Sequence, residues 1–554
     1  MSWIPLLLAQ WQALMTERSQ SSRASAERLL TDEEVWARPA LREASLAWWT
    51  ASLSGEPADY ERMERADKAV NVHYAQASTY RQIEQLLETQ GLDALTTRRL
   101  ARLRLAYRSK QAPVEMLDRI AAAEARMQET YSTFRAQFDG HAATDNELED
   151  VLRTTTENDR AEEAWLARKQ IGAIVADALR AIAELRNQAA RAIGFADFWQ
   201  SQMLLDELDP DRLLDTLEQV DQQTQAPFRA MKRDLDTHLA HRFGVDRAAL
   251  RPWHYGDPFF QETPDVFAPP ADPLYADKDV VELAAQTYRK LGFRNIDAIL
   301  ARSDLYPRPG KNQHAYAVDI DREGDVRTFL NVERNARWMN TLLHELGHTI
   351  YQDGIDRTEL PYDLRDDPQG FLNEGFAMFC EQPTVDPSWL TRMVGVPSSE
   401  AEPLGPRLAA QYTASLLAFI RWCLTIVHFE RSFYADPRQD LNRLWWDLEE
   451  RYQEVPRPDG RDAPDWASKV HVATAPAYYH KYLYGRLFSA QLTRKLDADV
   501  GGWWAGGERS GNYIKHELFM PGARFPWPRL VERVTGRPLG VQALAEAVAW
   551  SGAN

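Results

Sequence analysis

Between Pro113 and Pro210 the chain contains no proline, and glycine appears only at Gly140, Gly172 and Gly194. The stretch is rich in Ala, Leu, Glu, Arg and Gln, which lose little side-chain freedom in a helix. In AIVADALRAIAELRNQAARAI, apolar residues recur every three and four positions, the pattern of an amphipathic helix. Thr144 and Asp145 precede ELEDVL as a helix start. The pattern predicts long antiparallel helices from about residue 20 to 245. No fixed-period repeat is present.

The pattern changes near residue 250. RPWHYGDPFFQETPDVFAPPADPLY is rich in proline and aromatics and reads as ordered loop. A helix from Asp279 to Leu291 follows and stops at Gly292. Next come two β-favourable runs, His314 to Ile320 and Val326 to Val332, around the turn DREGD, which predicts a hairpin. Helical patterning then resumes. The chain therefore reads as mostly α with a very small sheet: 1–250 as the mainly helical first half, 251–554 as the second.

With 44% hydrophobic residues, collagen-like and disordered classes are excluded. The net charge of −17 disfavours nucleic acid or an anionic membrane surface as partner. Cys380 and Cys423 are too few for a disulfide framework and are expected as buried thiols. No stretch approaches the roughly 20 apolar residues of a membrane span. The N-terminal MSWIPLLLAQWQALM has no basic residue ahead of its apolar run, Trp3 to Leu8, and is broken at Gln10 and Gln12. It reads as an amphipathic first helix rather than a signal peptide, which makes the cytoplasm the expected compartment and the periplasm or exterior the alternative.

Residues 341–350, TLLHELGHTI, carry the chemistry. His344 and His348, four apart on one helix, can meet one zinc ion, with Glu345 about 100° round the same helix on the metal's flank. There Glu345 can take a proton from water activated by the metal. The alternative is a structural helix with two unligated histidines. A catalytic zinc needs a third protein ligand and an open position. GFLNEGFAMFCE offers Glu374 inside an apolar helical frame, where an unpaired carboxylate is costly. Glu381, at the expected helix end, is the rival.

Taken together these motifs resemble the angiotensin-converting-enzyme family of zinc dipeptidyl carboxypeptidases, in its bacterial single-domain form. LRNQAARAIGFADFW (185–199), LRPWHYGDPF (250–259) and RFPWPRLVERVTGRPL (524–539) are similar to that family's blocks, in its order. The resemblance implies a helical ellipsoid whose two halves flank a deep channel, with the N-terminal helices as a lid. It implies one zinc per chain on His344, His348 and Glu374, with Glu345 as general base. His314 and Ala315 fall on the strand that pairs with a peptide backbone. In KVHVATAPAYYHKY, Lys469 and Tyr479 match binders of the substrate C-terminal carboxylate, and His471 and Tyr482 match donors to the scissile carbonyl.

There are departures. One extra residue lies between His471 and Tyr479. Met378 stands where the family has an acidic partner of its zinc ligands. Lys481 replaces a chloride-binding arginine, which leaves the chloride requirement doubtful. A substrate-binding glutamine has no clear equivalent, with Lys278 falling nearby. Taken alone, the cluster Tyr478, Tyr479, Tyr482 and Tyr484 reads as helix packing. The expected activity is hydrolysis of short peptides with release of C-terminal dipeptides. The alternatives are an endo-acting oligopeptidase or pathway-specific amide hydrolase on the same scaffold, and a non-catalytic zinc- and peptide-binding relative.

Overall fold

The computed structural model describes residues 4–550 and 552, with side chains described from residue 20. The expected amphipathic faces of the first helix lie before that point, outside the described side chains. In chain order the N-terminal region comprises α1 (Ile4–Ser54), α2 (Pro57–Tyr74), α3 (Ala77–Glu88), α4 (Ala94–Arg108), α5 (Val114–Thr133), β1 (Ala136–Phe138), β2 (His141–Ala143), α6 (Asp145–Thr154), α7 (Asn158–Ala192), α8 (Phe198–Leu205) and α9 (Pro210–Phe243). Then come α10 (Val280–Lys290), α11 (Ile296–Arg302), β3 (Tyr316–Asp319), β4 (Val326–Phe329), α12 (Ala336–Asp353), α13 (Gly370–Cys380), α14 (Pro387–Trp389), α15 (Ser398–Ala435), α16 (Leu441–Gln453), α17 (His471–Thr474) and α18 (Tyr479–Val500). The fold is mostly α, as the patterning predicts.

Local chemistry explains many of the boundaries. Thr144 Oγ1 accepts from Glu147 N and opens α6, while Asp279 caps α10. Pro210 occupies the first turn of α9, where a missing N–H costs nothing, and left-handed Gly244 ends that helix. The expectation of unbroken helices from 20 to 245 is corrected at residues 136–143. There β1 and β2 pair around Asp139 (φ 48°) and Gly140 (φ 75°). Asp-Gly is a strong hairpin turn because both residues tolerate positive φ.

The second hairpin is shorter than predicted, with Tyr316 opposite Phe329 and Asp319 opposite Val326. His314 and Ala315 therefore lie just before the strand, not on it. Contacts on two sides help to hold this hairpin in place. Thr328 Oγ1 and Thr349 Oγ1, 2.7 Å apart and fully buried, tie β4 to α12. On the other side the end of α1 docks, with Trp48 stacked on Tyr316 at 4.1 Å and Asn312 N donating to Ser52 O at 3.0 Å. Helices α1, α3 and α4 share a small core of their own, including Leu30, Ile83, Leu86 and Tyr107.

Contrary to the expectation that no stretch is apolar enough to span a membrane, α15 contains an 18-residue window of mean hydropathy 1.3. Of that window, 67% is buried by protein, as in a core helix. Cys380 and Cys423 are both buried and free, as expected.

Helices α13 and α18 cross at Gly375 and Gly485, where a Cβ on Gly375 would lie 2.6 Å from the carbonyl oxygen of Gly485. Backbone cannot yield as a flexible side chain can. Gly375→Ala should therefore cost about 1–3 kcal/mol by overpacking. A denaturant titration checks this: the midpoint should fall at unchanged slope, and an unmoved midpoint would show that the crossing has slack.

Candidate zinc site and substrate cleft

Asn335 Oδ1 accepts from Trp338 N at 2.8 Å and starts α12. Leu342, Leu343, Leu346 and Ile350 bury the faces turned from the cleft. His344, Glu345 and His348 are left facing a cleft of about 600 Å³, which Ala315, Glu374, Tyr479 and Tyr482 also line. The Nε2 atoms of His344 and His348 are 3.2 Å apart, with Glu374 Oε1 3.4 Å from the first and Oε2 3.7 Å from the second.

The hydrogen bonds behind these groups decide which nitrogens are free. Glu381 Oε1 accepts from His344 Nδ1 at 2.6 Å. Asn373 Nδ2 donates to Asp367, turning its Oδ1 to accept from His348 Nδ1 at 2.9 Å. With both Nδ1 atoms protonated, two Nε2 lone pairs and a carboxylate converge on one point. Such a set repels itself unless a cation lies between its members, so the residues fit a zinc ion. The same demand for positive charge shows in the proton affinities. Burial opposes charge on both partners, yet His344 is raised well above its ordinary range and Glu374 is held down at about 2.

Glu381, the sequence rival for third ligand, instead supports His344. Seven residues after Glu374 on one helix, it lies on nearly the same face, a spacing visible in the sequence. It supplies the carboxylate that Met378 cannot. Arg486 Nη1 donates to Glu381 Oε2 at 3.2 Å and to the Tyr412 hydroxyl at 2.9 Å. Burial works to raise the Glu381 carboxyl, but Arg486 and His344 outweigh it and lower its pKa. Glu345 is buried, and burial raises its pKa.

The remaining predicted residues continue from the zinc cleft past Tyr479. The Tyr479 ring lies 5.3 Å from that of Tyr482 and 5.2 Å from that of His471, and Lys469 Nζ is 5.7 Å from it. Burial lowers Lys469 to about 8. Burial, aided by Lys469 and His314, lowers His471 to about 3, so its imidazole is neutral. Burial pushes the Tyr482 phenol well up, so it keeps its proton.

The partners of the two lysines also escaped the sequence reading. Gln261 Oε1 accepts from Lys469 Nζ at 2.7 Å, and Asp257 Oδ2 accepts from Gln261 Nε2 at 3.1 Å. Gln261, not Lys278, is therefore the amide beside the lysine; Lys278 pairs with exposed Asp277 at 3.5 Å. Lys481 pairs with Asp206 at 2.6 Å. Tyr478 lines the zinc cleft rather than serving only as helix packing.

Removing the carboxylate behind His344 should loosen the metal. Glu381→Gln should weaken zinc binding by about ten- to a hundredfold, the usual loss for such a partner. Chelator competition on the purified protein measures this, and unchanged affinity would show that Glu381 does not support the ligand.

Comparisons with known proteins agree with this geometry. The pattern of Peptidase family M3 matches residues 152–549, more than half of the chain. The angiotensin-converting enzyme pattern matches residues 20–251. A curated relative, angiotensin-converting enzyme from Theromyzon tessulatum, is 21% identical over 277 residues. The alignment takes in 47% of this chain and 44% of that protein, so the chain spans less than half of the relative's length. Every residue that lines the zinc cleft falls within the first of these matches, and the chain belongs to peptidase family M3, with angiotensin-converting-enzyme-like sequence in its first half.

Proposed function

We propose that the protein is a dipeptidyl carboxypeptidase acting on short, unblocked peptides. One observation carries this reading. Lys469 is buried, has no carboxylate partner among the described residues, and stands beside Tyr479, which lines the zinc cleft. A buried ammonium held by aromatic rings and by one amide oxygen, without a counter-charge bonded to it among the described residues, is suited to an incoming carboxylate. Gln261, fixed by Asp257, has a second N–H to offer the same group.

Zinc held by His344, His348 and Glu374 would supply Lewis-acid polarisation of the scissile carbonyl. Glu345 takes a proton from the attacking water and returns it to the leaving nitrogen as the C–N bond breaks, giving one new carboxylate and one new amine. Tyr482, kept protonated by burial, and neutral His471 donate hydrogen bonds to the developing oxyanion. The chain segment at Ala315 offers main-chain groups to an extended peptide.

Mass spectrometry of products from a free-acid peptide and its C-terminal amide tests the proposal. Dipeptides should leave the free acid. Amidation should lower kcat/KM by roughly ten- to a hundredfold, as expected for losing a charge-assisted bond. Glu345→Gln should abolish both reactions. Because Lys469 loses its proton near pH 8 in the free enzyme, kcat/KM on the free acid should decline above that pH, with little such decline on the amide. Equal cleavage of both peptides at one internal bond would favour the oligopeptidase reading instead.

Chloride should not be required. The ammonium of Lys481 already has the Asp206 carboxylate as its counter-charge at 2.6 Å. Turnover in acetate and chloride buffers of equal ionic strength should match, and activation by chloride would refute this.

A further inference from the structure

Glu430 is a buried carboxyl on α15, 2% exposed, with no cation bonded to it among the described residues. Such a group is costly unless something requires it. Its one hydrogen bond runs from Ala477 N to Oε1, at 2.8 Å. Arg186, whose charge acts on Glu430, donates elsewhere: to Glu124 Oε1 (2.7 Å), to the Tyr434 hydroxyl (2.9 Å) and to Ala473 O (2.7 Å).

Ala477 is the unusual residue. It is 5% exposed and has φ 55°, a left-handed backbone that is unfavourable for a residue with a Cβ. Such a conformation persists only where its surroundings impose it. It lies in the loop Ala475–Tyr478, between α17, which begins at His471, and α18, which carries Tyr479 and Tyr482 in its first turn. This loop lies in the His471–Tyr479 stretch, which holds the extra residue noted in the sequence. Pro476 has no N–H, and the N–H of Ala477 would be an orphan in the core without Glu430.

We propose that Glu430 is a positioning residue: by holding the Ala477 amide it sets the left-handed turn that aims Tyr479 and Tyr482 into the cleft, while Arg186 holds the carbonyl of Ala473 at the end of the helix that carries His471. The inference rests on the reading of Tyr482 as an oxyanion donor.

The test compares steady-state kinetics and zinc content of the full-length protein and its variants. Glu430→Leu keeps the bulk and removes the acceptor. It should lower kcat by about ten- to a hundredfold, the scale of an ångström-sized misplacement, with a smaller change in KM and normal zinc content. Glu430→Gln retains an acceptor oxygen and should recover most of the rate. Ala477→Gly, which adopts positive φ without strain, should be nearly silent alone and should restore part of the rate to Glu430→Leu. Tyr482→Phe should lower kcat, and adding Glu430→Leu to it should cost little more, because one donor cannot be misplaced once it is gone. Should Glu430→Leu not fold, Glu430→Asp withdraws the carboxyl by one methylene and should lower kcat in the same sense.

A fully metallated Glu430→Leu or Glu430→Asp protein with normal kcat would overturn the proposal, as would a loss that adds in full to that of Tyr482→Phe. A normal kcat in Tyr482→Phe would instead overturn the oxyanion reading and, with it, the route assigned to Glu430.

Discussion

Gly375 and Gly485 let two helices meet backbone to backbone, and the cleft depends on that contact. Glu374 precedes one glycine, and Tyr482 lies three residues before the other. One helix supplies Asn373, Glu374 and Glu381; the other supplies Tyr479, Tyr482 and Arg486. Side chains larger than hydrogen at the crossing would separate the carboxylate of Glu374 from the phenol of Tyr482 and stretch the Arg486–Glu381 pair. The two glycines therefore set the distance between the carboxylates of one helix and the tyrosines and arginine of the other.

Burial is the second organising force, and it acts on each group according to its charge. It removes the proton from His471, brings Lys469 down to about 8 and keeps the phenol of Tyr482 protonated. One cause thus yields a neutral imidazole, a cation whose charge is lost in mild alkali and a persistent hydroxyl donor. Between His344 and Glu374 the opposite holds: with no cation between them, each favours the other's charged form against burial. The site is polarised, with a zone that demands a cation at α12 and α13 and, beside Tyr479, the ammonium of Lys469.

The supports behind the site come from far along the chain. Asp257 fixes Gln261, Gln261 holds Lys469, Arg486 holds Glu381 and Glu430 holds Ala477. Each link satisfies a buried polar group that would otherwise be costly, which is why the site can be both dry-walled and charged.

His344, Glu345 and His348 were legible because their geometry is local: a spacing of four on a helix dictates a shared face whatever surrounds it. Glu374 was legible because a carboxylate inside an apolar helix needs a partner, and the long helices and the second hairpin because their periodicities are properties of short stretches. The Asp139-Gly140 hairpin carried its own local signal, but the helix-forming composition around it masked the turn. Glu381 could be nominated by sequence but not given its role, since an acid on the ligand face serves equally as ligand or as ligand support until the histidine nitrogens are located. Gln261 stands 208 residues from Lys469 and the Ala477 amide 47 from Glu430. No periodicity spans such separations. Spacing along one backbone was enough for the helical class, the helix of His344, Glu345 and His348, and the nomination of Glu374 and Glu381 as rival acids. The tertiary structure alone decided which amide meets the lysine, which acid backs the histidine and which carboxyl holds the tyrosine turn, because those partners are chosen by packing of helices that the chain brings together only when folded.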